Sequence, residues 1–321
     1  MNRRALLLAA PALVMAGAAR AQSFPARPIR IIVTIGAGSA ADILTRALAD
    51  ELGRRLGQSV VVENRPGAGG NIAGEVVKRA DPDGHTLLMA TVSTHGINPA
   101  LYRTMPFDPV ADFAPITLAA TSPNVLVVHP DSPYRTVQDI VAAARARPGE
   151  LTYSSGGSGT SQHLGGAVLE QMTGTRLTHV PFRSAPESIN AVLGQQTTMT
   201  FASVPAALGM AQGGRLRPIG LSGLRPMASW PEVKPLAELG LPGFDVTAWF
   251  GLVAPARTPA PVIEQINAAT RAALEVPAVR ERLAGQGMQV LDGGPAEFGA
   301  FIRSEIARWA PIVRASGATA D

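Results

Sequence analysis

Cysteine is absent from all 321 residues, so the chain has no thiol to lipidate, no disulfide and no thiolate metal site. The five histidines, at 85, 95, 129, 163 and 179, show no metal-ligand spacing, and neither a metal nor any other cofactor is expected. Signatures of nucleotide and ester chemistry are missing too. Gly36 and Gly38 precede Ser39 to Asp42 without the third glycine of a dinucleotide fingerprint, and no Gly-Lys-Ser/Thr follows for a phosphate loop. Ser158 has Gly156 two residues before it but Thr160 two after, so the nucleophile elbow Gly-x-Ser-x-Gly is incomplete. A hydrolase pairing Ser158 with His163 is the enzyme alternative to a binding protein, and acyl transfer is not expected.

A large charge excess is also lacking. Arg3 and Arg4 head an apolar run from Ala5 to Ala16, interrupted by Pro11 and too short to span a bilayer, and Ala19-Arg20-Ala21 precedes Gln22 as a small-x-small cleavage signal. This predicts an export signal removed after Ala21 and a periplasmic protein. Loss of Arg3, Arg4 and Arg20 takes the formal charge from +4 to +1, which leaves no basic face for nucleic acid. The remaining chain, in a sequence 46% apolar, is too long for a single core, and two domains are expected.

Strand-like and helix-like stretches alternate. Arg30 to Thr34 reads as a buried strand and Ser39 to Leu56 as a helix with Ile43, Leu44, Ala47, Leu48 and Leu52 on one face. Val60 to Val62, a helix from Ile72 to Lys78 and a strand from Thr86 to Ala90 continue the pattern that builds parallel sheets. A second series begins at Val125 to Val128. It includes a capping box at Thr136 and Asp139, strands at Leu151 to Tyr153, Leu177 to Val180, Thr198 to Ala202 and Leu216 to Leu221, and a helix from Ser161 to Met172. The apolar run Thr247 to Ala254 carries the chain back, and helices dominate thereafter, the last bearing Phe298, Phe301, Ile302, Ile306 and Trp309 on one stripe. The expected division is residues 22–122 with 249–321 in one lobe and 123–248 in the other, joined by two crossovers that act as a hinge.

Two loops carry the functional reading. Gly36 to Asp42 (GAGSAAD) and Ser154 to Ser161 (SSGGSGTS) each follow a strand and open a helix, where small residues let backbone N–H groups and a helix dipole meet an anion. The second loop adds five hydroxyls, from Ser154, Ser155, Ser158, Thr160 and Ser161. Ser93-Thr94-His95 and Arg183-Ser184-Ala185 follow other strands at the end where open α/β sheets collect ligands. Arg183 suits a second carboxylate.

FPARPIRIIV, VVVENRPGAGG, HGINPALY, SSGGSGTSQHL, HVPF and LPGFDVTAWFGLVAPARTP occur in this order from Phe24 onward. With the closing PAEFGAFIRSEIARW, they resemble the substrate-binding family of tripartite tricarboxylate transporters, also called Bug receptors. The resemblance implies an α/β Venus-flytrap fold of the type II periplasmic-binding-protein kind, with two mixed, mostly parallel sheets and a two-strand hinge. It further implies a monomer that delivers a small carboxylate to membrane permease subunits; a receptor signalling to a sensor domain is the interaction-protein alternative. The ligand-binding set carried over comprises Ile35, Gly38, Ser39, Ala40 and Asp42 from the first loop, and Ser155, Gly156, Ser158, Gly159, Thr160 and Ser161 from the second. Ser93, Thr94, His95, Arg183, Ser184, Ala185, Ala202 and Ser203 then line the cleft. Family members usually carry Pro-aromatic-Ala-Pro-Gly-Gly where this chain has Thr34 to Ser39, and Phe-Asp-Asn where it has Phe201-Ala202-Ser203. The lost acid points to a carboxylate without an amino group, with an apolar or aromatic tail expected near Ile35 and Ala202.

Overall fold

The computed structural model describes residues 24–316 and 318–320; the expected export signal and the cleavage expected after Ala21 lie outside them. No described helix is long and apolar enough to cross a membrane.

Strand β1 (Ile29–Val33) is an apolar run with four of its five side chains buried, as a central parallel strand covered on both faces requires. Helix α1 (Ala40–Leu56) starts where Ser39 Oγ accepts the Asp42 N–H and stops at Gly57 in the left-handed conformation. With β2 (Val60–Asn64), α2 (Asn71–Lys78) and β3 (Thr86–Thr91) it forms a parallel unit ordered β2-β1-β3. The second series makes another parallel set. It contains α4 (Val137–Ala146), β5 (Thr152–Ser155), α5 (Ser161–Thr173), β6 (Thr178–Pro181), α6 (Ala185–Leu193), β7 (Met199–Ser203) and α7 (Val204–Gln212). Here β5 lies between β6 and β7. The short α3 (Asn98–Leu101) precedes β4, and β8 (Arg217–Leu221) follows α7.

Two long strands join these units and bring antiparallel pairing with them. Strand β4 (Phe113–Val128) runs beside β9 (Thr247–Pro255) as far as Pro123, opposite Thr247, and from Asn124 it pairs with β7 and β8 instead. Strand β9 also pairs with β3, and β10 (Gln289–Gly293) with β4, all antiparallel. The fold is thus α/β and two-lobed with mixed sheets, and among the described residues every antiparallel pair of these strands involves β4 or β9. The crossing point is stitched by one hydroxyl. Ser222 Oγ accepts the Asn124 N–H at 2.8 Å and donates to Val246 O at 2.8 Å.

The core divides along β4 by the two-residue period of a strand. Leu126 and Val128 belong to the larger apolar cluster, Val125 and Val127 to a smaller one containing Ile189, Ala202, Leu221 and Trp230. Helices α8 (Ala260–Leu274), α9 (Pro277–Gly285) and α10 (Pro295–Ser316) return to the first lobe. Phe298, Ile302 and Trp309 of the expected stripe are fully buried, while Phe301 and Ile306 flank them half-buried.

Candidate functional site

The first loop is held from beneath. Asp42 Oδ2 accepts the Gly38 N–H at 3.0 Å, its Oδ1 pairs with Arg46 at 2.9 Å, and Asn64 Nδ2 donates to Ile35 O at 2.9 Å. Burial alone would raise the Asp42 pKa, but hydrogen bonds from Arg46, Gly38 and Asn64 outweigh it and hold the carboxyl below its usual range. Asp42 therefore braces the loop, with both oxygens already engaged.

The second loop is closed by its own helix. Gln162 Oε1 accepts the Gly156 N–H at 2.5 Å, and Thr160 Oγ1 donates to Gly157 O at 2.7 Å while accepting the His163 N–H. Asn124 Nδ2, at the β4 crossover, donates to Ser161 Oγ at 3.0 Å and so ties the hinge to the loop. His163 Nδ1 accepts the Gly159 N–H at 3.2 Å, and among the described residues no hydrogen bond joins His163 to Ser158. That nitrogen is occupied by the backbone, which removes the geometric basis for a Ser158–His163 nucleophile pair.

The lobes meet across glycines. A Cβ on Gly69 would stand 2.9 Å from Ser158 O, and one on Gly159, at φ +80°, would stand 2.6 Å from Asn98 Oδ1. Both approaches are open only to a residue without a side chain. Gly36 faces Ser184 in the same way, its Cβ position 3.1 Å from Ser184 Cβ.

Between the loops lies a cavity of about 30 Å³. Ile35, Ser39 and Ala40 line it from the first loop, Gly156, Thr160 and Ser161 from the second, with Ser93 and Ser203 from two further strand ends. Helices α1, α5 and α7 begin at its wall, through their N-cap residues Ser39, Thr160 and Ser203, and so does the π-helical turn Ser93–Ile97. Among the described residues no charged side chain lines it. The converging helix ends favour an anion there, each contributing about 0.3–1 kcal/mol when exposed and up to about 2 kcal/mol when partly buried. Thr91 and Ser203 are lining residues, and their buried hydroxyls have no hydrogen-bond partner among the described residues; such groups are costly unless something polar meets them.

A groove of about 550 Å³ adjoins the cavity, sharing Ile35, Gly156 and Thr160 with it. Ser158, Arg183 and Tyr102 line that groove with the turn Pro66 to Gly70. A larger hollow, about 660 Å³, sits beside the crossovers at Thr121, Pro123 and Thr247, where neither loop reaches. Size and chemistry therefore disagree, and the converging helix ends favour the smaller cavity.

The other expected residues line neither space. Gly38 and Asp42 bond each other, Ser155 and Gly159 are bonded to histidine rings, and Ser184 caps α6, with Ala185 next to it close to Gly156. Thr94 Oγ1 turns back to Thr91 O, and His95 is fully buried with its ring 5.0 Å from that of Phe113. Burial pushes the His95 pKa down to about 3. Ala202 lies in the smaller core, one residue short of the cavity that Ser203 lines. Sequence reasoning missed Thr91, Ser122, Asn124, Gln162, Ala248 and Phe250 as lining residues. The one signal available was the pair of polar residues, Ser122 and Asn124, immediately before the strand Val125 to Val128. Among the described residues no group of three His, Asp or Glu is placed to hold a metal ion.

The family model TctC, described as tripartite tricarboxylate transporter family receptor, matches residues 44–318. The chain is 35% identical over 317 residues to a UPF0065 protein from the tcbD–tcbE intergenic region of Pseudomonas sp. strain P51, covering 98% of this chain and 94% of that one. Among solved structures it is similar to R. palustris Rpa4515 with adipate, at TM-score 0.89 and 30% identity, covering 92% of this chain and 99% of that one. MatC (Rpa3494) from Rhodopseudomonas palustris with bound malate gives TM-score 0.86 and 29% identity, covering 90% of this chain and 100% of that one. The chain belongs to the TctC family, the solute-binding receptors of tripartite tricarboxylate transporters.

Proposed function

We propose that this receptor works in the periplasm, after cleavage behind Ala21, and captures a small organic carboxylate that it passes unchanged to membrane permease subunits. The observation that carries this reading is the uncharged cavity onto which three helix N-termini converge, since such a site stabilises a compact anion without a salt bridge. Ile35, Ser39, Ala40, Ser93, Gly156, Thr160, Ser161 and Ser203 are the contacts, and the buried hydroxyls of Thr91 and Ser203 donate to ligand oxygens. Relatives with adipate and malate support the ligand class.

A cavity of about 30 Å³ has room for a carboxylate head and little more, given that one water needs about 10–15 Å³. The rest of the ligand extends into the adjoining groove, where Arg183 pairs with a second acidic group. With no acid on the cavity wall, an ammonium group has no partner, which favours carboxylates without an amino group. Residues 22–122 with 249–321, and 123–248, act as rigid lobes about the β4 and β9 crossovers, and the closed monomer docks on the permease.

A thermal-shift screen against linear dicarboxylates, hydroxy acids and aromatic acids tests the reading. A true ligand at about a thousand times its dissociation constant stabilises the fold by about 4 kcal/mol. Sugars, phosphorylated compounds or amines that raise the melt while every carboxylate fails would overturn it.

A further inference from the structure

We infer that His163 and His179 are positioning residues, a stacked pair of imidazoles that holds the second loop in its anion-binding shape. The inference rests on the proposal that this loop contacts the carboxylate. His163 lies in the first turn of α5 and His179 on β6, yet their rings stack with centroids 4.0 Å apart and planes 21° from parallel. Tyr153 on β5 stacks against His179 at 4.9 Å, and its hydroxyl donates to the backbone oxygen of His163 at 3.2 Å.

Each ring reaches the loop at a different residue. His163 Nδ1 accepts the Gly159 N–H, and His179 Nε2 lies 2.7 Å from Ser155 Oγ. Ser155 Oγ also accepts the Gly157 N–H at 3.2 Å and donates to Gly157 O at 3.1 Å. With its single proton used there, the hydroxyl is satisfied when His179 Nε2 carries a proton and donates to it. The loop is thereby pinned at 155, 157 and 159, while Gly156 and Thr160 remain on the cavity wall.

His163 must be neutral for this arrangement, whereas His179 needs only its Nε2 proton. A protonated His163 cannot accept from Gly159, and two stacked imidazolium ions would repel. Burial supplies the neutrality, lowering the His163 pKa to about 4, and burial with the neighbouring His163 lowers that of His179 to about 3. The other titratable groups nearby are Tyr153 and, beyond it, Glu170, whose carboxyl pKa burial raises.

Amide substitutions separate positioning from packing. In His163→Asn the side-chain oxygen takes the place of Nδ1, and in His179→Gln the amide nitrogen takes the place of Nε2; the two leucine variants, His163→Leu and His179→Leu, keep bulk without either bond. The measurements are hydrogen exchange across residues 155–161 in the ligand-free protein, its melting temperature, and dissociation constants for acetate, succinate, adipate and malate. The leucine variants are expected to exchange faster across the loop and to bind the best of these probes about tenfold more weakly or worse, whereas His163→Asn and His179→Gln retain both readouts near the wild-type level. If the leucine variants keep wild-type exchange and affinity, or the amide variants lose as much as they do, the inference is overturned. Should the leucine variants not fold, His163→Gln, whose amide reaches one bond too far, is expected to lose what His163→Asn keeps; equal behaviour overturns the inference. Failure of all four probes to bind the wild-type protein would count against the proposed ligand class, while the exchange measurements would still decide the role of the imidazole pair.

Discussion

Glu305 carries two indole N–H groups on one oxygen: Oε2 accepts from Trp249 Nε1 at 2.8 Å and from Trp309 Nε1 at 2.9 Å. Its other oxygen pairs with Arg308 at 3.1 Å, and the residue is 4% exposed. It fastens the crossover strand β9 to α10, so the change Glu305→Ala strands two buried donors. Each unsatisfied donor costs about 1–3 kcal/mol, and urea denaturation is expected to show a loss of about 2–5 kcal/mol, with Glu305→Gln retaining part of it through its amide oxygen. At this scale the starts of α1 and α5 were legible in sequence to within a residue, since the helices expected from Ser39 and Ser161 are capped by Ser39 and Thr160. Thr91, Ser122 and Asn124 were not. Their neighbours read as ordinary strand, and beyond the polar pair Ser122 and Asn124 itself nothing local reveals that the strand ends open on a cavity.

Among elements, α4 shows how far local signals reach. Its capping box is complete: Thr136 Oγ1 accepts the Asp139 N–H at 3.1 Å and Asp139 Oδ2 accepts the Thr136 N–H at 2.9 Å. Thr136→Ala is expected to lower stability by about 1 kcal/mol, read as a reduced melting temperature by circular dichroism with ligand affinity unchanged. Strand β4 shows the opposite limit. Only Val125 to Val128 announce a strand by an apolar run with three β-branched valines, yet the strand begins at Phe113. Its earlier part mixes Pro115, Thr117, Thr121 and Pro123 with apolar residues and is extended because β9 and β10 supply partners on both edges. The register shifts beside Pro115 and Leu118 blur the two-residue alternation that sequence reading needs. Strand β10 was missed for a related reason, having one short, half-buried pairing to β4.

At the scale of the whole molecule, three histidines with lowered pKa values, His95 and His163 buried and His179 half-buried, govern the acid response. Burial pushes His95, His163 and His179 from 6.5 to about 3, 4 and 3 respectively, the last helped by His163. The unfolded chain takes up these protons below about pH 6.5 while the folded chain refuses them, so stability is full above that pH and falls as the pH drops toward 4. Each histidine contributes on the order of 1.4 kcal/mol per pH unit inside that window. A melting temperature that declines from neutral pH to about pH 4.5 is expected; one flat across that range would contradict the lowered pKa values of all three. Braced carboxylates such as Asp42 have their pKa lowered from 3.8, so their contribution is lost only below about pH 4 and does not obscure the histidine range.

Order along the chain determined the strand–helix alternation, the two glycine-rich loops and the family, because those depend on side-chain periodicity and turn residues within a few positions of each other. Tertiary structure alone decided that the loops meet, that Asp42 supports its loop with both oxygens engaged, and that His163 and His179 stack. It also put Thr91, Asn124 and Ser203, from different strands, around one cavity. Those juxtapositions are set by which strands pair across β4 and β9, and strand pairing is a long-range choice that no local window contains.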